Sequence, residues 1–205
     1  VTGEGTSAGS GSLSGGVTPM SRRVMNLAYL LTQNARRYGE RTGFVWAEKS
    51  WNWREIDASV SALATALAAR GIVKGDRILV HSKNCDEMFW SMFAAFRLGA
   101  VWVPTNFRLM PDEVSYLATS SGAKAFLCHG DFPDHATAVA AASAALEFTW
   151  RIGEGGSFGE GSVAEAIAAH AGTDFKNADV DYHDPCWFFF TSGTTGRSKA
   201  AVLTH

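Results

Sequence analysis

The stretch RILVHSKNCDEMFWSMFAAFRLGAVWVP, from Arg77 to Pro104, decides the fold. Ile78, Leu79 and Val80 follow one another with no polar alternation, as expected of a strand covered on both faces. Met88, Phe89, Met92, Phe93 and Phe96 then recur at helical spacing, with Asn84 or Asp86 placed to cap the helix and Gly99 placed to end it. Ala100 to Val103 is a second apolar run, and Pro104 stops it. A helix between two such strands marks the crossover unit of a parallel sheet, since a tight hairpin cannot join parallel neighbours.

The pattern continues in both directions. Downstream, Pro111-Asp-Glu113 reads as the first turn of a helix with Val114, Leu117 and Ala118 on its apolar side, and Lys124 to Cys128 as a further strand. Upstream, Asn26 can cap a helix that carries Leu27, Leu30, Leu31 and Tyr38 and ends at Gly39. Phe44-Val-Trp46 and Ser50-Trp-Asn-Trp53 read as short strands joined by Ala47-Glu-Lys49. A helix from Arg54 to Arg70 places Ile56, Val60, Leu63 and Leu67 on one face and stops at Gly71. Between Asp131 and Asp184 an Ala-rich helix, a Phe148-Thr-Trp150 strand and a Gly153 to Gly161 loop are expected in a peripheral position. The order predicts an α/β fold with a mostly parallel sheet flanked by helices, and no internal repeat is visible.

Composition sets the outer bounds. The chain has 205 residues, 46% hydrophobic, enough for one ordinary core. Its net charge of -2, from 18 basic and 20 acidic residues, gives no footprint for nucleic acid. Residues 1–19 are almost all Gly, Ser, Thr and other small side chains, which cannot offset their ordering entropy, so a flexible leader is expected there, with the folded unit running from Met20 to His205. The thiols Cys85, Cys128 and Cys186 lie far apart with no Cys-x-x-Cys pair, which suits reduced cytosolic cysteines and no zinc site. No apolar run is long enough to span a bilayer, Ala136 to Leu146 included, and no signal peptide is apparent, so a cytoplasmic location is expected.

Chemistry concentrates near the end of the chain. Trp187-Phe-Phe-Phe190 reads as a central, buried strand, and Ala200-Ala-Val-Leu203 as a second apolar run. Between them stand Thr191, Ser192, Gly193, Thr194, Thr195 and Gly196, then Arg197, Ser198 and Lys199. Four hydroxyls and two glycines within six residues offer inward backbone N–H groups and side-chain donors with no Cβ in the way, which is what a polyphosphate needs. Lys199 adds a compact charge at the loop's end. Only two residues separate Gly193 from Gly196, so the spacing departs from the Walker A loop. The competing structural reading of such a cluster is an ordinary turn; the flanking strands and the terminal lysine favour phosphate.

Phe190-Thr-Ser-Gly-Thr-Thr-Gly-Arg-Ser-Lys199 resembles the signature of adenylate-forming enzymes of the acyl-CoA synthetase type. Ser50-Trp-Asn-Trp-Arg-Glu-Ile56 is similar to an early motif of that family. Phe96-Arg-Leu-Gly-Ala-Val-Trp-Val-Pro-Thr-Asn-Phe-Arg-Leu109, with Pro111-Asp-Glu113 and Ser121-Gly-Ala-Lys124, is similar to its second core motif as fatty acyl-CoA synthetases write it. The resemblance implies that Thr191, Ser192, Gly193, Thr194, Thr195 and Gly196 bind the β- and γ-phosphates of ATP and that Lys199 stands near the leaving pyrophosphate. It further implies Mg2+, a carboxylic acid substrate such as a fatty acid, an acyl-AMP intermediate and coenzyme A as acceptor. The family usually has proline where Ser198 stands, and its loss loosens the loop exit by about 0.4 to 1 kcal/mol.

The remaining site of that family, including the magnesium ligand and the late lysine, is expected beyond His205, so these residues alone are expected to be inactive. Two other readings stay open: an adenylating enzyme with a carrier-protein acceptor, and a non-catalytic domain that folds and associates with its own copies. The six histidines are expected at the surface or in caps, with His205 frayed at the chain's end, and no catalytic residue is assigned. Cys128, Cys186, Trp90, Phe93 and Phe96 are expected in the core.

Overall fold

The computed structural model describes residues 23–191 and 196–205, so the expected leader over residues 1–19 lies outside them. The stretch that decides the fold forms β4 (Arg77–His81), α3 (Asp86–Leu98) and β5 (Val101–Pro104), and the two strands pair in parallel, with Ile78 opposite Trp102. They belong to a six-stranded sheet with β6 (Ala125–His129), β7 (Phe148–Ile152), β9 (Pro185–Thr191) and β10 (Lys199–Thr204), in the order β10-β9-β5-β4-β6-β7. Every pair is parallel except the β9–β10 hairpin.

The pleat divides the core in two. Ile78, Val80, Trp102, Leu127 and Trp150 face a cluster that includes α1 (Ala28–Tyr38), α2 (Trp53–Ala69) and α3. Leu79, Val101, Val103, Phe126 and Cys128 face the other way, onto α4 (Pro111–Ser121) and α5 (Pro133–Ala142). Alternate residues of β4 to β7 thus reach opposite faces, and both faces are covered there because the crossover helices lie on them. The α/β expectation holds.

Local chemistry explains the boundaries. The Asn52 side chain accepts from the Glu55 N–H and Glu55 returns a bond to the Asn52 N–H, a reciprocal cap that starts α2 one residue before the expected Arg54. The expected face Ile56, Val60, Leu63 and Leu67 is buried throughout. At α1 the cap position is Leu27 and not the expected Asn26; Asn26, one residue earlier, accepts from the Ala28 N–H and donates to the carbonyls of Phe96 and Ala178, which fastens the start of α1 to the end of α3. Leu31 is buried there, but Leu30 and Tyr38 are exposed, because α1 crosses the core at its edge. Neither Asn84 nor Asp86 caps α3: Cys85 occupies the cap position in extended conformation, and Asp86 is already helical, where its charge favours the N-terminal dipole. Gly99 ends α3 at φ 69°, a left-handed conformation open to glycine at little cost.

The segment expected at the periphery is partly structural. Strand β7 forms one edge of the main sheet with Phe148, Thr149, Trp150 and Ile152 buried, and helix α6 (Val163–Ala169) packs on α2. The loop between β7 and α6 closes tightly on the end of β6: a Cβ at Gly130 would clash with the Glu154 carbonyl oxygen and stand 2.6 Å from that of Gly155. Gly130→Ala is therefore expected to lower stability by about 2 kcal/mol, read as a fall in the urea midpoint at unchanged slope.

The remaining strands form two small accessory pairs. β2 (Thr42–Trp46) and β3 (Lys49–Asn52) make the expected hairpin, and β1 (Arg23–Val24) pairs with β8 (Val180–Asp181). Among the described residues no helix is long and apolar enough to cross a membrane.

Candidate phosphate site

Strand β9 places Trp187 on the α3 side of the sheet and Phe188 and Phe190 on the α4 side. It lies inside the sheet, between β5 and β10, yet it is only half covered: Phe189 is 50% exposed, and β10 is exposed along its whole length. The expectation of buried structure on both sides of the loop is therefore corrected. Among the described elements β10 packs closely only on β9, so its Val202 and Leu203 have no covering helix.

Register fixes the loop's neck. Thr191 pairs with Lys199 and Phe190 with Ala200. The Thr191 hydroxyl donates to the Lys199 carbonyl at 3.5 Å. The loop is thus a hairpin connection at the carboxyl end of β9, and its two described ends, both named from sequence, are brought together. Ser192, Gly193, Thr194 and Thr195 lie outside the described residues. Gly196 has φ +108°, a conformation that L side chains rarely adopt. Lys199 is exposed, and among the described residues it carries no ion pair, leaving its charge free for a ligand.

Past the neck, the loop exit lies on α4. The Arg197 guanidinium sits 5.1 Å over the Tyr116 ring, and the Tyr116 hydroxyl donates to the Ser198 carbonyl at 3.5 Å. A cavity of about 290 Å³ opens between them, lined by Leu109, Asp112, Glu113, Tyr116 and residues 196–198. Glu113 is committed to the Met110 N–H at 2.7 Å, which fixes the first turn of α4. A larger cavity, about 400 Å³, lies at the opposite edge of the sheet beside β7, and its Glu147 and Glu160 are paired with Lys124 and Arg70. It shares no residue with the loop.

Open parallel sheets place ligands where strand order reverses, here between β4 and β6. That crevice is filled. His81, expected at the surface, is fully buried, hydrogen-bonded through Nδ1 to the Thr105 hydroxyl at 2.6 Å, and stacked on His135 with ring centroids 4.4 Å apart. Phe132 packs edge-on against both rings and against His129. Burial, then the neighbouring His135 and His129, push the His81 ring down to about 3. The phosphate loop hangs two strands away, from β9.

His205 is also tied in place and not frayed. Its Nδ1 accepts from the Leu27 N–H at 3.3 Å, its own N–H reaches the Asp184 carbonyl, and its ring stands edge-on to Phe96. Cys128, Cys186, Trp90 and Phe96 are buried as expected, Phe93 is half-buried, and the three thiols are unpaired. Burial raises the Cys128 thiol to about 12 and the Cys186 thiol to about 11, so neither is a nucleophile near neutral pH. Tyr116 was not singled out from sequence. The one signal it gave is a phenol on an apolar helix face, a group whose hydroxyl needs a partner when buried.

Known proteins resemble this chain in sequence and in fold. The chain is 27% identical to a crotonobetaine/carnitine–CoA ligase of Citrobacter koseri, over 88% of this chain and 36% of the relative. It is 33% identical to a feruloyl-CoA synthase of an Amycolatopsis species, over 75% of this chain and 28% of the relative. The chain thus spans about a third of the length of the curated relatives it matches. A crystal structure of ATP-bound MatB from Rhodopseudomonas palustris superposes with a TM-score of 0.75 at 27% identity, over 90% of this chain and 35% of that one. The profile of AMP-binding enzymes matches residues 31–205, a span that holds the sheet, its covering helices and the β9–β10 loop alike, and by that match the chain belongs to the AMP-binding enzyme family.

Proposed function

We infer that this chain supplies the phosphate grip of an AMP-forming acid–CoA ligase, which activates a carboxylic acid as acyl-AMP and passes it to coenzyme A. The observation that carries the reading is the hairpin neck at the carboxyl end of β9, where Thr191 pairs with Lys199, a lysine with no ion pair among the described residues, within the span that the AMP-binding family model matches. Two relatives named as CoA ligases or synthases and a similar structure with ATP bound support the same reading.

In it, backbone and hydroxyl groups of Thr191, Ser192, Gly193, Thr194, Thr195 and Gly196 hold the β- and γ-phosphates, which fixes the α-phosphorus for in-line attack by the acid. Lys199 stabilises the charge that develops on the leaving pyrophosphate. Magnesium would neutralise the same oxygens. On the family resemblance its ligand is expected beyond His205; among the described residues no group of three His, Cys, Asp or Glu side chains is placed to hold an ion. A cytoplasmic enzyme fits the three unpaired thiols.

A fatty acid is our preferred substrate, on the likeness of the 96–109 segment to fatty acyl-CoA synthetases. The test is acid-dependent exchange of labelled pyrophosphate into ATP, with a panel of fatty and aryl acids, in a chain that continues past His205 to the length of the relatives. Exchange driven by fatty acids is expected, exchange driven only by aryl acids would replace the substrate class, and none with any acid would remove the ligase reading. Because the chain spans about a third of its relatives, the 205 residues alone are expected to release no pyrophosphate in sustained fashion.

A further inference from the structure

The exit of the phosphate loop is weakly determined by its own backbone. Gly196 at φ +108° has the fewest conformational restraints of any residue type, and Ser198 lacks the fixed φ of a proline. Strand pairing holds the Lys199 backbone opposite Thr191, so the weakly determined part of the exit is residues 196–198, which lead into it. Yet the exit lies against a stiff support. Helix α4 begins at Pro111, is closed by the Glu113 to Met110 bond, and buries Val114, Leu117 and Ala118 in the second core cluster. Tyr116 projects from that helix, half-buried at the edge of the same cluster, and is the residue that meets both Arg197 and Ser198.

We propose that Tyr116 is a positioning residue for the phosphate loop, acting as a bracket on α4 whose ring carries the Arg197 guanidinium and whose hydroxyl meets the Ser198 carbonyl, so that Lys199 is held facing the bound phosphates. The ring contact is the stronger of the two, because a guanidinium over an aromatic face is favourable even near water whereas a 3.5 Å hydroxyl contact is long. Arg197 thereby acts as a strut against Tyr116, one residue before Ser198. The proposal rests on the ATP reading for its functional consequence, but its structural content stands apart from that reading.

The test uses Tyr116→Leu, Tyr116→Phe and Arg197→Gln, the last at an exposed position that does not enter the core. Residue-resolved amide exchange at Gly196 to Lys199 is expected to rise about tenfold in Tyr116→Leu and Arg197→Gln, while exchange at Ile78 to Val80 stays unchanged. Titration with inorganic tripolyphosphate is expected to show affinity about fivefold weaker in the same two variants, and Tyr116→Phe within about twofold of the parent. A general loosening of the fold would speed exchange at both places and would not be rescued by phenylalanine. Unchanged exchange at residues 196–199 in Arg197→Gln and Tyr116→Leu overturns the bracket, whatever the titration shows. Faster exchange in those variants, with a parent that binds no tripolyphosphate, supports the bracket and overturns the ATP reading instead.

Discussion

Arg97→Ala is expected to lower the unfolding free energy by about 3 kcal/mol, the largest loss from a single side chain outside the apolar core. Arg97 is 1% exposed in the last turn of α3. Its Nη2 pairs with Asp57 Oδ1 at 2.5 Å, its Nη1 donates to the Ser61 hydroxyl at 2.5 Å, and Thr32 on α1 stands 3.3 Å away. One guanidinium thus joins three helices. Removing it leaves a cavity and strands a carboxylate that is itself three-quarters covered, and both effects have the same sign. Urea unfolding measures the loss. The double variant Arg97→Met with Asp57→Leu is expected to recover more than half of it, since a buried pair contributes far less than the cost of breaking it. Equal losses in the single and double variants would place the energy in packing alone.

The second large effect is an acid limit set by His81. Its ring is held near 3, below the 6.5 of an unperturbed imidazole, because burial excludes the charged form and His135 and His129 repel it. The unfolded chain therefore takes up a proton before the folded one does. Stability from this group is complete above pH 6.5, falls as the pH drops, and levels off near pH 3. Between pH 7.5 and pH 5 the loss is about 2 kcal/mol from His81 alone. Burial lowers His129 and His205 as well, adding in the same sense, although Asp131 and Asp184 partly oppose the shift at those two rings. Lys83, bound to Asp131 at 2.7 Å, keeps a positive charge beside the cluster. Urea unfolding across this range should show the slope, and His81→Asn should reduce it by about one proton. A slope unchanged by that substitution would contradict the assignment.

The sheet and its helices could be read from sequence because their signals are local. Apolar runs at Ile78–Val80 and Ala100–Val103, helical spacing in α2 and α3, and stop residues such as Gly71 and Gly99 each report on a few neighbouring positions. What could not be read depends on contacts between segments far apart in the chain. His81 and His135 are ordinary isolated histidines until β4 and α5 bring them into a stack. Arg97 looks like the solvent-facing residue of an amphipathic helix until Asp57 and Ser61 arrive from α2. The errors at β9 and β10 have a different origin: an apolar run predicts that burial is favourable, not that a covering element is present, and Phe189, Val202 and Leu203 remain exposed. The loop's chemistry was legible because hydroxyls, glycines and a lysine in that order carry their own mechanism, whereas the support from Tyr116 required the fold.

In the proposed function, residues Thr191 to Lys199 hold the outer phosphates of ATP. Phosphorus NMR of ATP titrated with this chain measures it most directly, because the three phosphates report separately. The β and γ resonances are expected to shift and broaden more than the α resonance, with an affinity of about 1 mM, and Lys199→Ala to weaken the effect severalfold. Equal perturbation of all three resonances, or a β and γ response that Lys199→Ala leaves unchanged, would contradict it.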